Sequence, residues 1–410
     1  MNISKDTLYS MLHIMAQYGT APEEGCSVFG VGYDCAFLKL KNKYLVEQFG
    51  RGMSSEKFVI GPFGSGKTHF LRHYMEMARD MDCVTSEVKL DKSIDFTKSL
   101  TVYSEVIREI RTPLYREHGI RILLQAALEK ACCQVKDPTM QDTITNAWVT
   151  ALDKVDFRDK TFGIVVKKAL FARLNNDDAI FSSCCRWLEG DINDRILSKE
   201  LNIPRIDKSS NNLYAKYMLL SLFQFIRQAG FNGTVVCFDE AEQGLSVDRK
   251  KTEKILSMLQ SGINAIVDLR NGSAMIMYAF TPDLVEKIKS FAALQQRISS
   301  PSGRGFIDGN ILAPLIDLTI REPLQDLQNI GRKLVSIFYN KFAGEVKVSE
   351  KELLKRVEQI ALGILEKEMS SSNRRDMVKS VCTVLLGLLE TDQTCVAAAI
   401  DPNDTYEAEV

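Results

Sequence analysis

The stretch Lys57-Phe-Val-Ile-Gly-Pro-Phe-Gly-Ser-Gly-Lys-Thr-His-Phe-Leu71 decides the fold of this chain. Residues 58–60 form a short apolar run, which is typical of a strand buried on both faces. Residues 61–68 match the pattern of a phosphate-binding loop, and the residues from His69 onward have helical character. A glycine-rich turn without a ligand is the alternative, but the flanking strand and helix favour the loop. We therefore predict a site for a nucleoside triphosphate.

Each residue type in this loop has a chemical reason to be there. Gly61, Gly64 and Gly66 permit backbone angles that side chains forbid, so that successive N–H groups can point at phosphate oxygens. The helix that follows presents its positive N-terminal end to the same anion. Lys67 can reach the β- and γ-phosphates, and the Thr68 hydroxyl can ligate Mg²⁺. The residues predicted to contact the nucleotide are Gly61, Pro62, Phe63, Gly64, Ser65, Gly66, Lys67, Thr68 and His69.

A second decisive stretch is Phe231-Asn-Gly-Thr-Val-Val-Cys-Phe-Asp-Glu-Ala-Glu242. Residues 235–238 predict a buried strand, and Asp239 and Glu240 emerge at its carboxyl end, where ligands bind in open α/β sheets. Asp239 can anchor Mg²⁺ through its water shell. Glu240 can polarise a water for attack on the γ-phosphate. We predict that Asp239 belongs to the metal site with Thr68, and that Glu240 is the catalytic base.

Two further positions complete the predicted catalytic set. Residues 273–281 predict another buried strand, and Thr281 at its end can orient the attacking water; capping of the next helix is the alternative. Arg297 follows the helix predicted at 283–295, where an arginine can face the nucleotide of a neighbouring subunit. Arg304 is the second candidate for this role, and both arginines could equally be surface residues. The predicted catalytic residues are Lys67, Glu240, Thr281 and Arg297.

Length and composition limit the class of protein. The 410 residues are 45% hydrophobic and 26% charged, with a net charge of −1, as in ordinary soluble globular chains. This charge neither supports a dedicated nucleic-acid binder nor excludes a local basic groove. The first residues lack the apolar core of a signal peptide, and no stretch is apolar enough to span a bilayer. The ten cysteines show no CxxC spacing, which indicates free thiols in a reducing compartment. We expect a cytoplasmic protein with no membrane partner.

The hydrophobic pattern predicts an α/β core preceded by helices. Residues 1–50 predict a helical segment that leads into the nucleotide site. Within it, residues 30–33 are either an adenine contact or a plain turn between two helices. Residues 51–322 predict a three-layer core that contains a five-stranded parallel sheet. The strands expected in this sheet begin near residues 58, 84, 234, 273 and 311.

Long helical segments interrupt and follow this core. Between about residues 95 and 230 almost no strand signal occurs, and a plain crossover needs far fewer residues, so we predict a helical insertion. Its basic segments carry interleaved acids, which leaves solvated helix faces and a nucleic-acid surface as alternatives. Residues 323–390 predict a helical lid, in which Arg374 or Arg375 can reach back to the γ-phosphate. Residues 391–410 predict a frayed tail.

The order of these motifs resembles that of AAA+ ATPases, and at a finer level the chain resembles the ATP-binding proteins of bacterial BREX-type phage-defence systems. The lid stretch Arg375-Asp-Met-Val-Lys379 is similar to an Arg-acid-apolar-apolar-basic pattern of that family. This similarity favours Arg375 as the nucleotide contact of the lid, and Arg374 replaces the proline that usually precedes it. Four stretches carry the resemblance: Gly19-Thr-Ala-Pro…Phe29-Gly-Val-Gly32, Gly61-Pro-Phe-Gly-Ser-Gly-Lys-Thr-His-Phe-Leu71, Arg186-Trp-Leu-Glu-Gly190 and Val235-Val-Cys-Phe-Asp-Glu-Ala-Glu242.

The resemblance implies a P-loop, AAA+-like fold and an ATPase that uses ATP and Mg²⁺. It also implies action with other defence-system proteins on double-stranded DNA or on a DNA-modifying assembly. We expect a homo-oligomer that couples hydrolysis to remodelling of a DNA-bound or multiprotein complex. An ATP-dependent switch or scaffold that recruits partners with little turnover is the main alternative. A small-molecule kinase is a third, against which the adjacent Asp239-Glu240 and the long lid argue.

Overall fold

The computed structural model describes residues 3–90, 94, 97–133, 138–240, 249–289, 291–299, 303–319, 322–366 and 373–390. The predicted tail at 391–410 lies outside these residues, as do residues 241 and 242 of the acidic stretch. The chain divides into two units. Unit 1 comprises Met1–Asp34, Pro62–Arg72 and Thr319–Val410, and unit 2 comprises Cys35–Gly61 and His73–Leu318.

Among the described residues, six strands of unit 2 form one sheet. They are β1 Ser55–Ile60, β2 Val84–Lys89, β3 Ile110–Arg111, β4 Thr234–Asp239, β5 Ala274–Phe280 and β6 Leu315–Asp317. Their order across the sheet is β3-β2-β4-β5-β1-β6. All neighbours pair in parallel except β2 and β3, which are antiparallel. Every residue of β4 and β5 is buried, as expected of central strands with continuous apolar runs.

The prediction of five parallel strands is therefore wrong by one strand. The five expected strands are present, although the last is confined to Leu315–Asp317 within the stretch predicted at 311–320. The additional strand, β3, lies inside the region predicted as a helical insertion. It contributes only two residues, which pair with Thr85 and Ser86 of β2. A pairing this short leaves no alternating pattern that a sequence can show.

Helices make up most of the remaining described chain. A π-helical stretch, Leu40–Gln48, continues the helix Asp34–Lys39. The described residues between β2 and β4 are mostly helical. In chain order the helices are α1 Lys5–Tyr18, α2 Cys26–Phe29, α3 Asp34–Lys39, α4 Lys67–Asp80, α5 Ser99–Arg108, α6 Ile120–Cys133, α7 Pro138–Ala151, α8 Lys160–Leu174, α9 Asp178–Leu188, α10 Arg195–Glu200, α11 Asn211–Gln228, α12 Arg249–Val267, α13 Pro282–Lys289, α14 Ala292–Ile298, α15 Pro323–Phe342, α16 Glu350–Glu366 and α17 Asn373–Glu390.

The insertion shares its hydrophobic core with the sheet. One cluster of buried side chains contains Phe58 and Val236 from the strands together with Trp187 and Phe223 from the insertion helices. Helix α5 packs on both β2 and α11. The insertion therefore completes the core of unit 2.

Unit 1 is a helical body made from the two ends of the chain. Helix α1 packs on α17, and α15 packs on both α16 and α17. Its core contains Leu8 and Leu12 from α1 together with Phe338 and Met377 from the C-terminal helices. The spacing of Leu8 and Leu12 by one helical turn places both on the buried face of α1. The N-terminal helix and the C-terminal helices thus bury their apolar faces together.

Candidate nucleotide-binding site

The glycine-rich loop, residues 61–68, follows β1 directly and leads into α4. Gly64 and Gly66 adopt φ angles of 75° and 93°, in the left-handed region that residues with a side chain rarely enter. Gly61 is not among the left-handed glycines of the described chain, so the prediction that it needs such an angle is wrong. Its N–H donates instead to the Phe280 carbonyl at 3.2 Å, which extends the pairing of β1 with β5.

Two polar side chains of the loop fit an anionic ligand. The Ser65 hydroxyl is buried and has no hydrogen-bond partner within the described part of the chain. Leaving such a group unsatisfied costs about 1–3 kcal/mol, which a phosphate oxygen that accepts from it would recover. The Lys67 ammonium donates to the Pro62 carbonyl at 3.2 Å and lies 5.3 Å from the centre of the exposed Phe63 ring. The residues present therefore fit a phosphate group.

The remaining predicted loop residues begin α4. Thr68 and His69 follow Lys67 in the first turn, and both are half-buried. One turn later, Arg72 donates to the carbonyls of Ala21 at 2.6 Å and Pro22 at 3.1 Å. This contact explains part of the Gly19-Thr-Ala-Pro22 stretch, because it ties the segment after α1 to the helix that carries the loop.

A largely buried arginine from α17 lies against the loop. The Arg374 guanidinium donates to the Ser65 carbonyl at 2.9 Å through Nη1, and to Asp326 through Nε at 2.6 Å and through Nη2. Its centre lies 5.0 Å from the centre of the Tyr33 ring. Burial opposes the charge of this group, but the bonds to Asp326 hold the Arg374 pKa above its usual value. Arg374 therefore stays charged beside the loop.

Arg375, which the sequence analysis favours for this role, is placed differently. Its side chain is exposed. The Arg375 Cγ packs against Gly19, and a Cβ added at Gly19 would lie only 2.5 Å from it. Gly19 ends α1 with a φ of 60°. The structure thus brings Arg374 to the loop and packs Arg375 against the end of α1. The preference for Arg375 followed from a family pattern in which the preceding residue is a proline and cannot make such a contact.

The predicted acids and Thr281 lie at the carboxyl edge of the sheet in unit 2. β5 lies between β4 and β1, and the register pairs Phe238 with Tyr278 and Ile60 with Phe280. Asp239 ends β4 and is buried, and Thr281 follows β5 directly and is also buried. The strand ends of β4, β5 and β1 therefore meet at one edge, as ligand sites in parallel sheets require.

Glu240 has an unusual backbone. Its φ angle is 56°, which is uncommon for a residue with a side chain, and such angles concentrate at functional sites. Its N–H donates to Oδ1 of Asp239 at 3.0 Å. The two acids are therefore held in a fixed local arrangement at the end of β4.

The two candidate arginines after β5 are both exposed. Arg297 lies in the last turn of α14 and donates to the Asn264 side chain at 2.6 Å. Arg304 is also exposed. An exposed position is compatible with the predicted contact to a neighbouring subunit and equally with a surface role, so the assignment of Arg297 stays a prediction.

Sequence reasoning missed Asp326 and the role of Tyr33. Asp326 lies in the first turn of α15. Acids are common there because the positive end of the helix dipole stabilises them, so the position of Asp326 does not by itself indicate a function. For Tyr33, the sequence predicts only that residues 30–33 either contact adenine or form a turn between two helices. The doubled arginine at 374 and 375 was the one signal present for this network.

Three observations on the described residues bear on the remaining predictions. No helix among the described residues is long and apolar enough to cross a membrane. Within the same residues, nine cysteines are all free thiols, as expected. Groups of three or more His, Cys, Asp or Glu that could hold a metal by themselves are absent from the described part. The predicted Mg²⁺ donors, Thr68 and Asp239, supply hard oxygen ligands of the kind that Mg²⁺ prefers alongside water and phosphate.

The fold and the loop are those of an α/β protein consistent with the P-loop class of nucleotide-binding proteins. The model of one protein family, described as BREX system ATP-binding protein BrxC/D, matches residues 6–404. The chain therefore belongs to this family, which makes ATP its ligand and places it in a BREX defence system beside other proteins of that system. No curated protein and no solved structure gave a significant match.

Proposed function

We propose that this protein is a Mg²⁺-dependent ATPase that uses hydrolysis to remodel a DNA-bound or multiprotein complex of the BREX system. The observation that carries the proposal is the glycine-rich loop, with its left-handed Gly64 and Gly66 and its unsatisfied buried Ser65 hydroxyl. The loop starts at the sheet edge where β4 ends in Asp239. Glu240 follows Asp239 directly and is a candidate base, which a protein that only bound ATP would not need.

The roles of the loop residues follow from their chemistry. The N–H groups of residues 61–66 and the Ser65 hydroxyl bind phosphate oxygens, and the N-terminal end of α4 adds a favourable dipole. Lys67 leaves the Pro62 carbonyl and neutralises the β- and γ-phosphates. Thr68 and Asp239 would hold Mg²⁺, which supplies charge neutralisation at the phosphates. His69 extends the contact surface along α4.

Glu240 acts as the general base. Its carboxylate accepts a proton from the attacking water, and Thr281 orients that water from the end of β5. In this division of roles, Asp239 serves the metal and Glu240 serves the water. Arg297 of a neighbouring subunit stabilises the charge that develops on the transferred phosphate. This last role requires a homo-oligomer.

The lid contact with the nucleotide is assigned to Arg374 in place of Arg375. Arg374 already lies on the loop backbone at Ser65, and it is charged and largely buried. A guanidinium in this place can donate to the terminal phosphate of ATP, which ADP lacks.

Phosphate release tests the proposal. The wild-type protein is expected to release phosphate from ATP in the presence of Mg²⁺, and Lys67→Ala is expected to lose both ATP binding and release. Lys199→Ala removes the same charge from an exposed position in α10 and serves as the matched control. If Lys67→Ala released phosphate at the rate of Lys199→Ala, the loop would not be the site of hydrolysis.

The alternative function is an ATP-dependent scaffold that recruits partners with little turnover. It predicts tight ATP binding, a monomer in the presence of ATP and no effect of Arg297→Ala. Light scattering with and without ATP, together with phosphate release in the presence and absence of duplex DNA, separates it from the ATPase.

A further inference from the structure

Asp326 is the centre of a buried polar network in unit 1. Its carboxylate accepts two bonds from Arg374, which lies on another helix, and the Asp326 and Arg374 side chains are only 10% and 12% exposed. The pair joins α15 to α17 at the point where α17 meets the loop. Two-point pairing of this kind fixes the plane of a guanidinium as well as its position.

Residues of the first segment of unit 1 also contact the Arg374 side chain. The Tyr33 ring lies under the guanidinium, and the same ring packs edge-on against Phe70 of α4, with centroids 5.6 Å apart. Gly32 and Gly66 border the Arg374 side chain, and a Cβ added at either would lie 3.8 Å or 3.4 Å from its nitrogens. Each of the three chain segments that make up unit 1 therefore contributes a group that contacts Arg374.

A count of the N–H donors of the Arg374 guanidinium shows which of them can still bind an anion. An arginine side chain has five N–H groups. Asp326 takes two of them and the Ser65 carbonyl takes one. The remaining donors lie on the two terminal nitrogens, where Tyr33 and an incoming anion can accept them. The network thus holds Arg374 at the loop before any nucleotide arrives.

We propose that Asp326 is the positioning residue that sets Arg374 for the terminal phosphate, and that Tyr33 acts with it, so that this network makes the site discriminate ATP from ADP. The inference rests on the proposed function. It assigns Tyr33 to the support of an arginine and not to contact with adenine. Holding the side chain in advance removes the entropy cost of ordering a long flexible group when ATP binds.

The test compares the affinities for ADP and for a non-hydrolysable ATP analogue, measured by calorimetry with Mg²⁺. Asp326→Asn is expected to weaken binding of the ATP analogue about tenfold and to change ADP binding less than about twofold. Asp326→Glu, which keeps the charge, is expected to restore part of the discrimination. Tyr33→Ala is expected to reduce the ratio of the two affinities. Tyr33→Phe, which keeps the ring but loses the hydroxyl that accepts from Arg374, is expected to reduce it less.

Glu358→Gln is the matched control. Glu358 pairs with Arg332 across α15 and α16 at 3.4 Å, but both side chains are about half exposed and neither contacts the loop. This variant removes an acid–arginine pair that also involves α15. It is expected to leave the ratio of ATP to ADP affinity unchanged.

A double-mutant cycle separates positioning from general damage to the fold. In a protein that already carries Arg374→Met, the further change Asp326→Asn is expected to leave the ratio of affinities unaltered, because the residue it positions is gone. An equal loss of ATP and ADP affinity in Asp326→Asn, or a full additional effect in the Arg374→Met background, would overturn the inference. Failure of the wild-type protein to bind the ATP analogue would instead overturn the proposed function.

Discussion

At the residue scale, Gly66 combines two constraints that are separable by mutation. Its φ angle of 93° is unfavourable for any other residue, and an added Cβ would lie 3.4 Å from Nη1 of Arg374. Gly52 has a similar φ of 70°, but nothing lies within 4 Å of an added Cβ there. The two glycines therefore share a backbone requirement and differ in their surroundings.

This difference predicts distinct outcomes for the two alanine variants. Gly66→Ala and Gly52→Ala are each expected to lower the free energy of unfolding by about 1–2 kcal/mol, because both force alanine into the left-handed region. Only Gly66→Ala is expected to lose ATP affinity. Urea unfolding and calorimetric titration measure the two quantities. Equal ATP affinities of the two variants would contradict the assignment of the loop.

Glu56 of β1 is half-buried, but its carboxylate oxygens are buried, and it lies outside the proposed mechanism. Neither of its carboxylate oxygens has a hydrogen-bond partner among the described residues, and burial raises the pKa of Glu56 to about 8. A folded-state pKa above the unfolded value means that the folded protein binds the proton more tightly. The contribution of the Glu56 carboxyl to the free energy of unfolding is therefore fully present below pH 4.5 and is lost as the pH rises towards 8.

Glu56→Gln is expected to remove this part of the pH dependence. Between about pH 5 and pH 8 the wild-type free energy of unfolding should fall relative to that of the variant by an amount on the order of 4 kcal/mol. Urea unfolding of both proteins at several pH values measures it. Parallel stability curves for the two proteins would show that Glu56 is ionised in the folded state across this range.

At the element scale, α9 shows a structural use for the Arg186-Trp-Leu-Glu-Gly190 stretch. Trp187 is fully buried in the core of unit 2, and the Leu188 carbonyl accepts a bond from the Tyr103 hydroxyl at 2.7 Å. Gly190 has a φ of 120°, and a Cβ there would lie 2.3 Å from the Ser104 hydroxyl. The stretch therefore ends α9 and docks it closely on α5.

The role of Trp187 is testable by stability. Trp187→Ala is expected to lower the free energy of unfolding by about 3–5 kcal/mol, the range for deletion of a buried aromatic side chain. Trp148→Ala, at a half-buried position of α7, should cost less. Denaturant unfolding measures both. A loss for Trp187→Ala no greater than that for Trp148→Ala would contradict the assignment of this stretch to the core.

The sequence predicts those elements whose signal is local. The strands at 58–60 and 235–238 and the loop between β1 and α4 are consecutive residues with a distinctive pattern, and the structure contains them. The two-residue β3 has no pattern, because it exists only through pairing with β2. Likewise, the partner of Arg374 is an acid 48 positions away in the chain, and periodicity carries no information about such a distant contact.

At the scale of the whole molecule, the proposed assembly makes Arg297 act between subunits. Arg297→Ala is expected to reduce phosphate release at least about a hundredfold while ATP still binds. Arg304→Ala, at the second candidate position, is expected to retain activity. The two measurements are steady-state phosphate release and calorimetric affinity.

Mixed assemblies test whether Arg297 serves a neighbouring site. A Glu240→Gln subunit keeps Arg297, and an Arg297→Ala subunit keeps Glu240. Mixing the two inactive variants should therefore restore phosphate release, because some sites then contain both groups. A wild-type protein that stays monomeric in light scattering with ATP, while still releasing phosphate, would exclude action of Arg297 between subunits.

The central claim is that Glu240 is the base of an ATP-hydrolysing site, and hydrolysis by Glu240→Gln tests it most directly. The substitution keeps the size of the side chain and removes its ability to take a proton. The variant is expected to bind ATP and Mg²⁺ as the wild-type protein does, with phosphate release slower by about 10²–10⁴-fold. Phosphate release by Glu240→Gln at the wild-type rate would contradict the claim.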